Sequence, residues 1–304
     1  LLSSMAKSIV RGIQDEKVMA TVKHYIGYSC PESGLNLAPM HMGEREIRQF
    51  YLPPFLEAVK AGAMGVMTCY NVVDGVPVTL SPLWMNKVLR EEAHFDGVVI
   101  LDYGMSGIMK NVMGLSPSYS ELGKRMLEAT VDMEACEPLC YNLDFLKDIQ
   151  GDERYTARID EAVYRILKAK FQLGLFENPS FDLKKAKEEV FTEETLQLTY
   201  EEEKEGATLL KNDGVLPLRE GCRILLVGPN ADIAQLGGIT YYAVLENYQC
   251  KQASSEKAIT PLESLASRFG KENVRFHKGC NFLNYFEDQE SEIRKDASWA
   301  DVIV

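Results

Sequence analysis

From residue 3 to residue 14 the apolar positions Met5, Ile9, Val10 and Ile13 recur at helical spacing. A short apolar run, 18–22, follows and ends in Lys23-His24-Tyr25. A polar loop then reaches about Gly43, and residues 44–60 resume the helical period, with an interruption expected at Pro53-Pro54. The second apolar run, 64–69, ends in Tyr70-Asn71 and passes into Asp74-Gly75-Val76-Pro77, which is turn chemistry because Gly relieves the backbone and Pro fixes φ. Ser81-Pro82 offers an N-cap and a proline at the first helical position, predicting a helix to about Ala93. Four apolar residues in a row, Val98-Val99-Ile100-Leu101, predict a strand buried on both faces, and that run stops abruptly at Asp102-Tyr103-Gly104. A helical stretch over 120–129 precedes a fourth short strand, Val131-Asp132-Met133-Glu134.

Strands that alternate with helices in this way run parallel, with the helices wrapped around them. Four strands cannot close a barrel, but they can form the second half of an eight-stranded one. Their C-terminal ends, Lys23-His24, Tyr70-Asn71, Asp102-Tyr103 and Asp132, then fall on one rim, which is where such folds keep their chemistry. Asp102 itself has two readings: a rim carboxylate, or the N-cap of a helix starting near Met105. Farther on, apolar residues at 159, 163, 166, 167 and 171 predict a core-facing helix over 159–173, and residues 174–179 end it. The charge-rich stretch 184–205, with Glu201-Glu202-Glu203, reads as a solvated helix face. Residues 223–227 open a second α/β unit, continued by a helix near 262–269, the run Val274-Arg275-Phe276 and a terminal strand. The expected organisation is a half-barrel over 1–176, a linker and connecting helix over 177–204, and the beginning of an α/β sandwich over 205–304.

Composition narrows the chemistry. A chain of 304 residues with 46% hydrophobic content can fill a substantial core. With 45 Asp plus Glu against 33 Lys plus Arg and no basic stripe, no nucleic-acid partner is expected. No apolar run approaches the roughly 20 residues of a membrane helix, so no membrane partner is expected either. Seven cysteines lack paired short spacings except Cys136 and Cys140, which supports neither a disulfide framework nor a zinc site. His41, His94 and His277 are isolated, and the glycine turn at Gly228-Pro229-Asn230 lacks a phosphate-binding pattern. No metal and no cofactor are expected. Lys23-His24 can be a polar strand end with a satisfied histidine, or Lys23 can be a Schiff-base amine in a barrel lyase. The chain starts at Leu1 without an initiating methionine and ends at Asp301-Val302-Ile303-Val304, inside a predicted strand, so a fragment of a longer protein is expected.

Ordered motifs then add a resemblance. Lys23-His24-Tyr25 with Pro31-Glu32, Glu44-Arg45-Glu46 with Leu52-Pro53-Pro54-Phe55, Met67-Thr68-Cys69-Tyr70-Asn71 through Asp74-Gly75-Val76-Pro77, and Leu89-Arg90 before Phe95-Asp96-Gly97-Val98-Val99 resemble glycoside hydrolase family 3. The likeness continues through Lys170-Phe171-Gln172-Leu173-Gly174-Leu175-Phe176, Leu209-Leu210-Lys211-Asn212-Asp213-Gly214 and Gly228-Pro229-Asn230-Ala231-Asp232, in family order over almost the whole chain. It implies a barrel followed by an α/β sandwich, and retaining hydrolysis of terminal non-reducing β-glycosides, β-glucosides first. The substrate would be a small oligosaccharide or an aryl or alkyl β-glycoside. Asp102 matches the nucleophile, Lys23 and His24 match residues that bind sugar hydroxyls, and Met67 and Tyr70 line the same pocket. The family usually writes Ser-Asp-Trp where this chain has Leu101-Asp102-Tyr103, so Tyr103 stands in for an aromatic contact to the sugar.

Those residue types suit the reaction. A retaining glycosidase needs an ionised carboxylate on one side of the anomeric carbon and a protonated one on the other, about 5–5.5 Å apart. An ammonium such as that of Lys23 would favour the ionised form of Asp102. The resemblance implies that the acid is a Glu of the second domain, beyond Val304, and that an Asp and an Arg on earlier barrel strands grip the sugar. Alone, the chain is therefore expected to turn over glycosides poorly, its missing segments being supplied by the rest of the polypeptide. A carbohydrate-binding or scaffold homologue without turnover is the remaining alternative.

Overall fold

The structure is a computed structural model, and it describes residues 1–232, 259–281 and 284–304. The chain divides into two units, Leu1–Val190 and Phe191–Val304. In the first, helix α1 (Leu2–Asp15) leads to strand β1 (Thr21–Tyr25). The strand begins three residues later than the apolar run predicts. Lys17 takes a left-handed turn at φ 59°, Val18 remains exposed, and ladder pairing starts only at Thr21 opposite Gly65.

Residues 44–60 stay helical through Pro53-Pro54. The backbone widens over Ile47–Tyr51 and only then enters helix α2 (Leu52–Lys60), which places both prolines in its first turn. Strand β2 (Gly65–Thr68) follows, then a small hairpin of β3 (Val72–Val73) and β4 (Val76–Pro77) closed by Asp74 and Gly75, both at positive φ. Helix α3 (Pro82–Glu92) is capped as its sequence predicts, the Ser81 Oγ accepting the Trp84 N–H at 3.3 Å. Strand β5 (Val98–Ile100) completes a parallel sheet of order β1-β2-β5.

The fourth strand is reduced to a single parallel bridge between Ile100 and Met133. It still continues the sheet, because the Asp132 N–H donates to the Val99 carbonyl at 2.9 Å and the Leu101 N–H to the Met133 carbonyl at 3.0 Å. Val66 and Val99, side by side in the register, are fully buried against a core of Trp84, Met85, Val88, Leu89, Met105 and Met126. The pleat turns their neighbours Met67 and Ile100 to the opposite face, where both are half-buried.

After helix α4 (Tyr119–Glu128) and the short α5 (Leu143–Asp148), helix α6 (Glu153–Gln172) returns to the sheet. Its buried face follows the predicted apolar stripe only in part, Ile159 packing beside Phe145 and Ile166 being half-buried. Ala162 and Ala169 are buried and Arg165 lies between them, while Val163, Leu167 and Phe171 stay exposed. The reason is electrostatic: Arg165 reaches the buried carboxylate of Asp132, and small alanines on either side let the helix approach.

Helix α7 (Leu183–Glu189) ends the first unit and α8 (Glu193–Gly206), solvated as its charges predict, starts the second. There β6 (Ile224–Val227) lies between β7 (Val274–His277) and β8 (Val302–Ile303), all parallel. Helix α9 (Pro261–Phe269) opens on a capping box of Thr260 and Glu263, and α10 (Glu290–Trp299) precedes the last strand.

Candidate active site

The rim of the first sheet is built by interruptions of regular pairing. Val22 faces Val66 and Tyr25 faces Thr68, so β1 carries one residue more than β2 between those points. Such an irregularity re-aims side chains, and here it falls on Lys23 and His24. On β5, pairing stops at Ile100, and two residues later Asp102 stands 8% exposed at the C-terminal end of the strand.

Asp102 uses its two oxygens differently. Oδ1 accepts the backbone N–H of Tyr103 at 2.7 Å, and Oδ2 lies 3.4 Å from Nε2 of His24. The carboxylate does not cap the following helical turn. That turn, Met105–Gly107, starts behind Gly104, which sits at φ 68° with no side-chain cap. The Tyr103 carbonyl is held from the other side by the Tyr70 hydroxyl, which donates to it at 2.6 Å. Tyr103 itself turns its ring outward, 57% exposed, on the rim.

His24 is held below the ordinary histidine pKa of 6.5, chiefly because burial disfavours its charged form; Asp102 opposes this shift and Lys23 reinforces it. The imidazole is therefore neutral at pH 7. Among the described residues the group within ion-pair distance of Asp102 is His24, whereas Lys23 is exposed on the strand edge. The structure thus brings Asp102, His24, Tyr70 and Tyr103 into direct or single-residue contact. Met67 sits in β2 beside Ile100, on the sheet face that leads to the rim.

Asp132, grouped with the rim in the sequence, does other work. Its side chain is buried and accepts from Arg90 Nη2 at 2.7 Å, Arg165 Nη1 at 2.8 Å and the Val99 N–H at 2.7 Å. It is a clamp between β5, α3 and α6. Burial lowers the Arg90 pKa to about 10, against the pull of Asp132. Glu134 is likewise turned inward, accepting from the Ser106 hydroxyl and from the N–H groups of Cys140 and Tyr141 at 3.0 and 2.7 Å. Cys140 is buried beside it with its thiol pushed up to about 12, which makes it an inert packing residue. Six cysteines among the described residues are free thiols, and no group of three metal-ligating side chains occurs among those residues.

Sequence reasoning missed Tyr28. Its ring packs edge-on against His24 with centroids 4.7 Å apart and lies 5.9 Å from the Tyr70 ring. Nothing in the local pattern marks it, because the contact is made by a turn at Gly27 rather than by a strand period.

Comparison with known proteins supplies the context. The Glycosyl hydrolase family 3 N terminal domain matches residues 1–169, and the Glycosyl hydrolase family 3 C-terminal domain matches residues 207–304. A beta-xylosidase of Formosa agariphila is 29% identical over 100% of this chain and 44% of its own length. A beta-glucosidase of Rhizobium radiobacter is 33% identical over 92% of this chain and 32% of its own length. The crystal structure of a beta-glucosidase from Listeria innocua in complex with gluconolactone superposes with a TM-score of 0.83 at 32% identity, covering 99% of this chain and 41% of that one. The chain thus spans less than half the length of these relatives. Its architecture is the second half of a (β/α)8 barrel followed by the beginning of an α/β sandwich, as its strand order predicts. The chain belongs to glycosyl hydrolase family 3.

Proposed function

We propose that this chain carries the nucleophile half of a retaining, exo-acting β-glycosidase, with Asp102 attacking the anomeric carbon of a terminal β-glucoside. The observation that carries the reading is the Asp102 carboxylate itself: a mostly buried acid at the end of a buried parallel strand, with Oδ1 locked by the Tyr103 N–H and Oδ2 turned to a neutral imidazole. With Oδ1 engaged, Oδ2 is the attacking oxygen. Lys23 and His24 on one strand edge can donate to hydroxyls of the bound sugar. Hydrogen bonds of that kind position the ring and strengthen as oxocarbenium character develops. The exposed ring of Tyr103 offers an apolar face to the sugar's C–H surface.

Attack alone does not expel an ordinary alcohol; the leaving oxygen needs a proton from a second carboxyl group. Among the described residues no other carboxylate lies within ion-pair distance of His24 or Lys23, so the acid is assigned outside the sheet that carries Asp102. The nearest alternative by sequence, Glu32, is exposed and engaged with His41 at 3.0 Å. A glucoside is favoured by structural relatives whose crystals hold glucose, gluconolactone or laminaribiose. A β-xyloside is the second reading, favoured by the Formosa xylosidase that aligns along the whole chain.

The test separates attack from proton donation. A 2,4-dinitrophenyl 2-deoxy-2-fluoro-β-glucoside has a leaving group that needs no protonation, so it reports the nucleophile alone. Incubated with the protein, it is expected to add one fluoroglucosyl group to the peptide containing Asp102, read by mass spectrometry. Attachment to another residue, Lys23 included, overturns the assignment. Faster labelling by the fluoroxyloside would move the substrate to the second reading. Turnover of unactivated phenyl β-glucoside by this chain is expected to be weak; brisk turnover would place the acid locally.

A further inference from the structure

We propose that Tyr28 is a positioning residue for the nucleophile: its ring closes a circuit of contacts that fixes His24 and the Tyr103 peptide together against the two oxygens of Asp102. The inference rests on the reading of Asp102 as nucleophile. One arm of the circuit runs from Asp102 Oδ1 to the Tyr103 N–H at 2.7 Å, and from the Tyr103 carbonyl to the Tyr70 hydroxyl at 2.6 Å. The other runs from Asp102 Oδ2 to His24 Nε2 at 3.4 Å. The two arms meet at Asp102. Tyr28 joins their far ends, its ring 4.7 Å from His24 at 65° and 5.9 Å from Tyr70 at 59°.

The chain is shaped to put it there. Gly27 sits at φ 91°, a backbone conformation that strains any residue with a side chain, and packs against the end of Met40, so glycine favours the turn that brings Tyr28 back to His24. Asn36 Oδ1 then holds the Tyr28 hydroxyl at 2.5 Å, tying the ring to the loop before Met40. An edge-on aromatic contact restrains the imidazole plane and shields it from water without consuming its nitrogens. That is what a group facing a carboxylate on one side and a substrate hydroxyl on the other requires, since misplacement by about 1 Å can cost on the order of 10²-fold in rate.

The groups facing His24 are Asp102 from the loop after β5, Lys23 on its own strand and the phenol of Tyr28. Exchanging Tyr28 for methionine keeps much of its volume but removes the ring and admits water to the imidazole. In the full chain, Tyr28→Met is expected to move the His24 titration midpoint, followed by NMR, upward toward 6.5, since burial is the largest cause of its depression. The maximal rate of Asp102 labelling by the dinitrophenyl fluoroglucoside is expected to fall about tenfold or more. Tyr28→Phe keeps the ring and is expected to stay within about threefold, with a smaller movement of the midpoint. Both readouts unchanged in a folded Tyr28→Met overturn the proposal, and so does equal impairment by Tyr28→Phe, which would make the hydroxyl and not the ring the working part. If Tyr28→Met fails to fold, Asn36→Ala decides: the midpoint is expected to move in the same direction by less, and no movement overturns. Failure of the unsubstituted protein to label at Asp102 would sink the nucleophile reading, while the His24 titration, which needs no turnover, still shows whether Tyr28 holds the imidazole.

Discussion

Asp102 is a carboxylate with one oxygen already spoken for, and that asymmetry makes its role testable at a single residue. Asp102→Asn retains the shape and can still accept the Tyr103 N–H, so the fold is expected to persist while labelling by the fluoroglucoside falls by about 10³-fold or more. Equal labelling in that variant would remove Asp102 from the chemistry. His24 adds a pH signature. Its pKa is lower in the folded protein than its ordinary 6.5, so the unfolded chain binds the proton first as pH falls. Stability at this site is therefore complete above 6.5 and declines as pH falls from there to the folded pKa. His24→Gln should flatten that limb of a urea-midpoint-against-pH curve, and an unchanged limb would show that the imidazole is not held neutral. The identity of Asp102 and His24 as candidates was legible in the sequence, because a carboxylate that ends an apolar run is conspicuous. That Lys23 leaves the direct contact with Asp102 to His24 was not, since it depends on one extra residue in β1.

At the level of elements, two arginines from different helices decide where the last strand lies. Arg90 on α3 and Arg165 on α6 both end on Asp132, whose side chain is about 1% exposed, and the third donor is the backbone of β5 itself. Removing one partner leaves buried charge uncompensated, so Asp132→Ala is expected to cost about 3–5 kcal/mol, read from denaturant melts. A loss below about 1 kcal/mol would mean that the clamp is dispensable. Gly97 makes the same region intolerant of bulk: a Cβ there would stand 2.4 Å from the Met64 carbonyl and 2.6 Å from the Phe95 ring. Gly97→Ala is expected to destabilise by about 1–3 kcal/mol, and a neutral result would show that the β2–β5 approach tolerates a methyl group. Apolar period alone located α6 but misplaced Val163, Leu167 and Phe171, since the face that packs is also set by Arg165 reaching a buried carboxylate.

For the whole molecule, the division between Leu1–Val190 and Phe191–Val304 falls in a stretch where Lys184, Lys185 and Lys187 are exposed on a short helix. Limited trypsin digestion is expected to cut there before it cuts between Gly65 and Glu128, because the latter region supplies most of the first unit's core. Early cleavage within that core region would contradict its packing. The excess of acidic over basic residues, 45 against 33, is spread over helix surfaces such as that of α8, while the rim sets Lys23 and Asp102 around the neutral His24.

By itself the sequence determined the parallel α/β order, the family and the carboxylate that ends the apolar run 98–101, because periodicity, caps and motif order are local properties of a chain. Only the tertiary structure decided which polar strand ends meet. Asp102 and His24 are brought into contact by a pairing irregularity, Asp132 is withdrawn into a double arginine clamp, and Tyr28 joins His24 to Tyr70 across a glycine turn. Each of those outcomes depends on contacts between residues distant in the chain, where the energy of burying and pairing a charge outweighs any preference that a single segment can express.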